Sequence, residues 1–402
     1  MNMPYPPNAP SDGLPLAGMT VIEFCNVAAG PFCGMLLADM GADVIKVEPR
    51  EGDMLRQWPP FRDGYSENFA SLNRNKRSIV LDLKHPGDNA TAVGLIERAD
   101  IVIENNRPGA MARLGLDFER FRESNPKLIY CSLSAFGQTG PRSGEGGFDL
   151  TIQALSGIMS VTGEPDGGPV KCGVPVSDFA TGLYGAFAVA SVAARVRAGG
   201  GGGHIDISMM GASLGIAALQ TSEYFGSGRD PVRLGHAHPR NAPYQAYDAQ
   251  DGQFVIAAGN DRLWRSVCDI VGQPELAGDP RFLTTLDRAR NQKELAALLS
   301  KVFARLTVDE LLAHFQEAGV PCGRINSYSA ALDDPQVKAM GLVQPLALPN
   351  GGRTVTVACP LRIDGAALPI RHAPPALDGD RDAILAMLDT DAQASQRAGG
   401  QR

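Results

Sequence analysis

Runs of β-branched and apolar residues alternate along the first half of the chain with segments of helical spacing. Met19–Phe24 reads as a strand, Ala28–Pro31 as a turn, Phe32–Met40 as a helix and Val44–Glu48 as a second strand. The pattern repeats: strand Ser78–Leu83, helix Pro86–Glu97, strand Ile101–Glu104, short helix Pro108–Leu114, strand Leu128–Leu133. Helices are then expected over Phe148–Met159 and Phe179–Arg197. The glycine run 199–203 breaks the second of these before a strand at His204–Ser208 and one further apolar helix, Gly211–Tyr224. Strands that alternate with helices predict a parallel sheet covered on both faces, an α/β class with a Rossmann-like large domain.

A polar, Gly-containing stretch from Gly226 to Arg240 suggests a change of domain. Beyond it come a hairpin, Tyr244–Ala258, turning at Asp251-Gly252, and amphipathic helices Leu263–Val271, Asn291–Phe303 and Thr307–Ala318. They suit a smaller α/β domain. From Pro335 the chain turns β-like and Pro-rich. The expected organisation is an N-terminal arm over 1–14, a large domain beginning at 15–225, a small domain over 226–330, and a return segment with a polar tail over 331–402.

Glu48, at the end of the second strand, stands where a dinucleotide fold holds its ribose-binding acid. The glycine fingerprint is missing, since Gly30 stands alone, so a dinucleotide site fails on its own motif. The 402 residues carry 44% hydrophobic and 20% charged positions with a net charge of −7. That balance offers no broad basic surface for nucleic acid. The richest apolar stretch, Leu183–Val196, falls short of a membrane span, and Met1–Gly13 lacks the pattern of a secretory signal, so no membrane partner is expected. Seven scattered cysteines with no CxxC pair or Cys/His cluster read as reduced thiols in a cytoplasm, without a metal site.

Candidate chemistry centres on Asp178, in Gly173–Gly182 at the start of a long apolar helix. One reading makes Ser177 or Asp178 the helix cap. The other makes Asp178 a desolvated carboxylate, held ionised by the helix N-terminus and available as a nucleophile.

Several motifs, taken in order, resemble the class III CoA-transferases, the CaiB/BaiF group. They are Ala29-Gly30-Pro31, Gly41–Glu48, Asn73–Ser78, Ile103-Glu104-Asn105 with Pro108-Gly109, Gly137–Pro141, Phe148-Asp149, Val176-Ser177-Asp178 with Gly182, Ala258–Asp261 and Gly319–Gly323. The resemblance covers roughly residues 15 to 375 and implies an interlocked homodimer. It implies that Asp178 attacks an acyl-CoA thioester and carries CoA through anhydride and aspartyl-CoA intermediates, beside a loop containing Gly259 and Asn260. By position, Ala28, Ala29, Leu81–Lys84, Asn105, Asn106, Arg107, Arg113, Phe148 and Asp149 match CoA-contacting segments, and Arg50 lies where a phosphate contact is expected. Asp149 has a second reading, as the cap of the helix that follows it. Ala28 stands where formyl-CoA transferase has glutamine, which argues against a formyl-CoA and oxalate substrate pair.

The substrates implied are a CoA thioester, with no permanently bound cofactor, and a small carboxylic acid. Gly235–Pro239 and Pro243–Gln245 are similar to the succinyl-CoA-dependent dicarboxylate branch, with His238 and Arg240 as candidates for the distal carboxylate. The related α-methylacyl-CoA racemases place a histidine where this chain has Phe148, which cannot carry a proton. A racemase-like enzyme and a non-catalytic CoA-ester binding protein are the alternatives.

Overall fold

The computed structural model describes residues 13–389. The expected arm, up to residue 12, and the polar tail lie outside the described residues. Two compact units account for the chain: one of residues 13–158, 172–228 and 338–389, the other of residues 159–171 and 229–337.

A six-stranded parallel sheet organises the first unit. Its strands are β1 (Thr20–Phe24), β2 (Asp43–Glu48), β3 (Lys76–Val80), β4 (Ile101–Glu104), β5 (Ile129–Ser134) and β6 (Gly203–Ser208), in the order β3-β2-β1-β4-β5-β6. Successive side chains point to opposite faces, so each strand feeds two cores. Ile22, Ile45, Val47, Ile79 and Val102 pack on one face with Ala92, Leu95 and Ile96 of the helix α2 (Pro86–Arg98). Val21, Val44, Ile101, Ile103 and Ile129 pack on the other. There they meet Cys33, Leu37 and Ala38 of α1 (Ala29–Asp39), and Val189 and Ala193 of a later helix, α4 (Val176–Arg197). This doubly covered parallel sheet is the α/β class expected from the alternating pattern.

Several elements depart from the pattern. β3 begins at Lys76, two residues early, because its charged side chains are paired: Lys76 lies wholly buried against Glu23 at 2.8 Å. The helix expected over 148–159 divides at Gly157, whose φ of +85° suits glycine, into α3 (Asp149–Leu155) and a single turn, Ile158–Val161. The apolar helix expected over 211–224 is two, Met209–Ile216 and Ala218–Ser227. The return segment opens with a helical turn, Pro335–Met340, before the hairpin Val343–Ala347 with Arg353–Val357.

Helix α4 starts three residues earlier than expected. By length and composition it would also suffice to cross a membrane, with 22 residues and a mean hydropathy of 1.4 over an 18-residue window. Its glycine positions explain it differently. A side chain at Gly182 would meet the carbonyl oxygen of Ala29 at 2.7 Å and the Phe32 ring at 2.9 Å, so glycine permits the close crossing of α4 on α1. Phe32 and Phe179 close the same seam edge to face, with centroids 4.8 Å apart.

The second unit has a three-stranded antiparallel sheet of Tyr244–Asp248, Gln253–Ala257 and Cys322–Arg324. Its core gathers Phe254, Trp264, Phe303 and Phe315 from this sheet and the helices Asp261–Ile270, Gln292–Phe303 and Val308–Glu317.

Candidate active site

The sheet changes direction beside β1, because β2 and β3 lie on one side of it and β4, β5 and β6 on the other. In an open parallel sheet such a switch leaves a crevice beyond the carboxyl ends of the two strands where it occurs. Here that crevice is a cleft of about 270 Å³. Its walls are residues 26–29 after β1, 105–108 after β4, Leu133–Ala135 at the end of β5, and 145–148 before α3, with Asp178 and Met209.

Seven of the expected site residues line this cleft: Ala28, Ala29, Asn105, Asn106, Arg107, Phe148 and Asp178. Asp178 reaches it because Gly182, one turn further along α4, rests against Ala29. Phe148 is 69% exposed at the cleft edge.

Neither Ser177 nor Asp178 caps α4. Pro175 holds the cap position and Asp178 is the third residue of the helix. The orphan N–H of Ser177 is bonded instead to Asp149 Oδ1 at 3.0 Å. Asp149 is likewise not the cap of α3. That position belongs to Phe148, whose N–H donates to Thr151 Oγ1, and Asp149 Oδ2 accepts from Gln153 at 2.6 Å. Ser177 Oγ accepts from Ser213 Oγ at 2.8 Å, which ties the helix start to the helix Met209–Ile216.

The protonation of Asp178 differs from the expectation. Burial, with the negative charge of Asp149 added, pushes its carboxyl up to about 7. Desolvation therefore outweighs the favourable helix N-terminus, and near neutral pH the group is divided between acid and carboxylate. Among the described residues, no cation pairs with it.

Other expected residues lie elsewhere. Leu81 is 2% exposed, its side chain in the core beneath α2. Arg50 is exposed and sits 3.7 Å from Asp82. Lys84 and Arg113 are also exposed, outside the cleft lining. Gly259, Asn260, His238 and Arg240 belong to the second unit. Asn260 caps the helix Asp261–Ile270 by accepting from Leu263 N at 3.0 Å. His238 Nδ1 accepts the N–H groups of Arg240 and Asn241, both at 3.1 Å, so the ring organises its own loop.

Sequence reasoning passed over Asn26, Val27, Met54, Ser134, Glu145 and Met209, which also line the cleft. For Asn26, Val27, Ser134 and Met209 the position at or just after a strand end is the available signal; Met54 and Glu145 lie in longer connections and carry none. Behind the lining lies a buried charge network. Lys46 reaches Glu23 at 2.9 Å and Asp53 at 2.8 Å, and donates to the Cys25 carbonyl at 2.8 Å. Lys76 donates to Pro31 O at 2.8 Å and Asn73 Oδ1 at 2.9 Å. Burial pulls the Lys46 ammonium down, but Glu23 and Asp53 outweigh it and hold the group above its usual range. Glu23 and Glu48 anchor this layer, Glu48 pairing with Arg56 at 2.7 Å.

The sequence pattern of CoA-transferase family III matches residues 16–381. The chain belongs to CoA-transferase family III. This family III enzyme is 41% identical to the succinate–glutarate CoA-transferase of Agrobacterium fabrum, over 94% of its own length and 96% of the relative's. It is 39% identical to the acetyl-CoA:oxalate CoA-transferase of Acetobacter aceti, over 90% and 91%. The crystal structure of a CaiB/BaiF family protein from Brucella suis superposes with a TM-score of 0.82 at 40% identity, covering 93% of this chain and 99% of that one. As a family III CoA-transferase the protein is an enzyme whose substrates are CoA thioesters, and its relatives support transfer of CoA to dicarboxylic acids.

Proposed function

We propose that the enzyme moves CoA from an acyl-CoA, succinyl-CoA by preference, to a second dicarboxylic acid, with Asp178 as the nucleophile. The observation that carries this reading is Asp178 itself, desolvated and without a cationic partner among the described residues, in the lining of the cleft beyond β1 and β4. Its ionised form attacks the thioester carbonyl and CoA leaves as thiolate, forming an acyl–aspartyl anhydride. The thiolate attacks the aspartyl carbonyl, which releases the donor acid and leaves an aspartyl-CoA thioester. The acceptor carboxylate attacks that thioester, forming a new anhydride and thiolate. The thiolate then attacks the acceptor's acyl carbonyl, giving the new CoA thioester and freeing Asp178. Each intermediate is hydrolysable, so a site that excludes water conserves the thioester energy.

Asn105, Asn106 and Arg107 take the CoA arm, with Arg113, Lys84 and Arg50 as outlying cations for its phosphates. The Gly259–Asn260 loop supplies N–H groups to the oxyanion. His238 and Arg240 receive the distal carboxylate. The relatives named for glutarate and for oxalate support a dicarboxylic acceptor and leave its chain length to experiment.

We further propose a cytoplasmic homodimer, its two chains interlocked. Seven free thiols accord with a reducing compartment, and Phe187 at 70% and Phe225 at 80% exposure on the first unit accord with a covered face.

Mass spectrometry of the enzyme incubated with succinyl-CoA tests the mechanism. A CoA adduct on the Asp178 peptide, absent from Asp178→Ala, is expected. Exchange of the α-proton of a 2-methylacyl-CoA without adduct or transfer would replace this reading with the racemase.

A further inference from the structure

Val27 has a φ of +67°, in the left-handed region that a β-branched residue rarely enters. The other non-glycine residues with positive φ among those described are Asp63, Asn75, Asp364 and Asp378, types that tolerate it. A β-branched outlier persists only where its surroundings over-determine it. Here the surroundings are specific. The N–H of Val27 donates to Asp53 Oδ1 at 3.1 Å, and the same oxygen accepts from Leu55 N at 2.9 Å. The other carboxylate oxygen meets Lys46 at 2.8 Å. Asp53 is 1% exposed and Lys46 wholly buried. Neighbouring bonds complete the frame: Asn26 exchanges two hydrogen bonds with Asn105, at 2.9 and 2.8 Å, and its Oδ1 accepts from Met54 N at 2.9 Å.

We infer that Asp53 is a positioning residue of the transferase site, holding Val27 left-handed so that the backbone of Val27, Ala28 and Ala29 meets the acyl-CoA in one fixed geometry. Asp53 does not line the cleft, while Asn26, Val27, Ala28, Ala29 and Met54, on either side of its bonds, all do. Without its carboxylate, Val27 relaxes to negative φ and the chain entering α1 turns away from the cleft. Lys46 acts in the same frame, because it neutralises Asp53 and fixes the Cys25 carbonyl two residues before Val27. The inference rests on the reading of this cleft as the acyl-CoA site.

The test compares Asp53→Ala, Asp53→Asn and each combined with Val27→Gly, with steady-state kinetics of CoA transfer. Asp53→Ala should raise KM for the acyl-CoA about tenfold, with kcat and KM for the acceptor acid changed far less, the size expected when strain of this kind is released. Asp53→Asn keeps an acceptor for the Val27 N–H and should fall between. Val27→Gly, free to adopt positive φ, should recover most of the lost KM in either background. A merely structural Asp53 would lower the folded fraction without moving KM, and glycine at 27 would restore nothing. Either result overturns the inference. If Asp53→Ala does not fold, the Asn pair carries the comparison. Transfer that survives Asp178→Ala overturns the site reading and this inference together, whereas Asp178-dependent transfer that ignores Asp53 overturns this inference alone.

Discussion

The backbone N–H of Ser177 is bonded to the side chain of Asp149 at 3.0 Å, one residue before Asp178. A carboxylate from another helix thus satisfies the start of α4, and its charge falls beside the proposed nucleophile. Asp149 helps raise the Asp178 carboxyl towards 7, after the larger effect of burial. The acid limb of kcat/KM should therefore have a midpoint near pH 7, with activity rising as the group ionises. Asp149→Asn keeps an acceptor for Ser177 and removes the charge, and should move that midpoint down by about one unit. A pH–rate profile of both proteins checks the shift.

Stability should follow the same group in the opposite direction. A carboxyl whose folded pKa lies above its unfolded value binds its proton more tightly when folded, so ionisation weakens the fold as pH rises from about 4 to about 7. Asp178→Asn should remove this dependence. Urea unfolding at pH 5 and pH 8 should show the variant gaining on the wild type at the higher pH.

Glu48 behaves conversely. Burial opposes its charge, but Arg56, Lys46 and Ser78 hold the carboxyl down at about 2. Its contribution is fully present above the ordinary glutamate value and is lost as pH falls through about 2. Glu48→Gln leaves Arg56 unpaired and should cost about 3–5 kcal/mol at neutral pH. Denaturant curves at pH 7 and pH 3 should show the gap narrowing in acid.

Gly182→Ala tests the helix seam. The new methyl would lie 2.7 Å from Ala29 O, so α1 and α4 must separate. A loss of about 1–3 kcal/mol in unfolding free energy is expected, with a fall in kcat because Asp178 shares that helix.

Arg107 and Arg50 separate cleft from periphery. Arg107→Ala should raise KM for the acyl-CoA about tenfold, on the order of one charge-assisted contact. Arg50→Ala, which removes an exposed cation near Asp82, should change it less than about threefold. KM measured at two salt concentrations checks both.

The alternation of apolar runs and helical spacing made the parallel sheet legible, because burial on both faces writes continuous β-branched strands. The residues after β1 and β4 were legible only through the resemblance, since turn residues carry little pattern. For Asp149 the sequence leaves two readings open, a cap of its own helix or a CoA-contacting position beside Asp178, because it places a carboxylate beside its own helix and cannot show that it serves another. Lys46, Lys76 and Asp53 were invisible for a similar reason: a buried lysine reads as a surface lysine until its partners meet it across strands.

That buried layer sums to no charge, with Lys46 and Lys76 set against Glu23 and Asp53. The layer behind the cleft therefore adds no net charge to it, and discrimination among acids falls to the side chains that line the cleft and its rim. Substitutions there can retune which acids are accepted while the interior that supports the proposed nucleophile stays unchanged, and one scaffold can serve a succession of substrates.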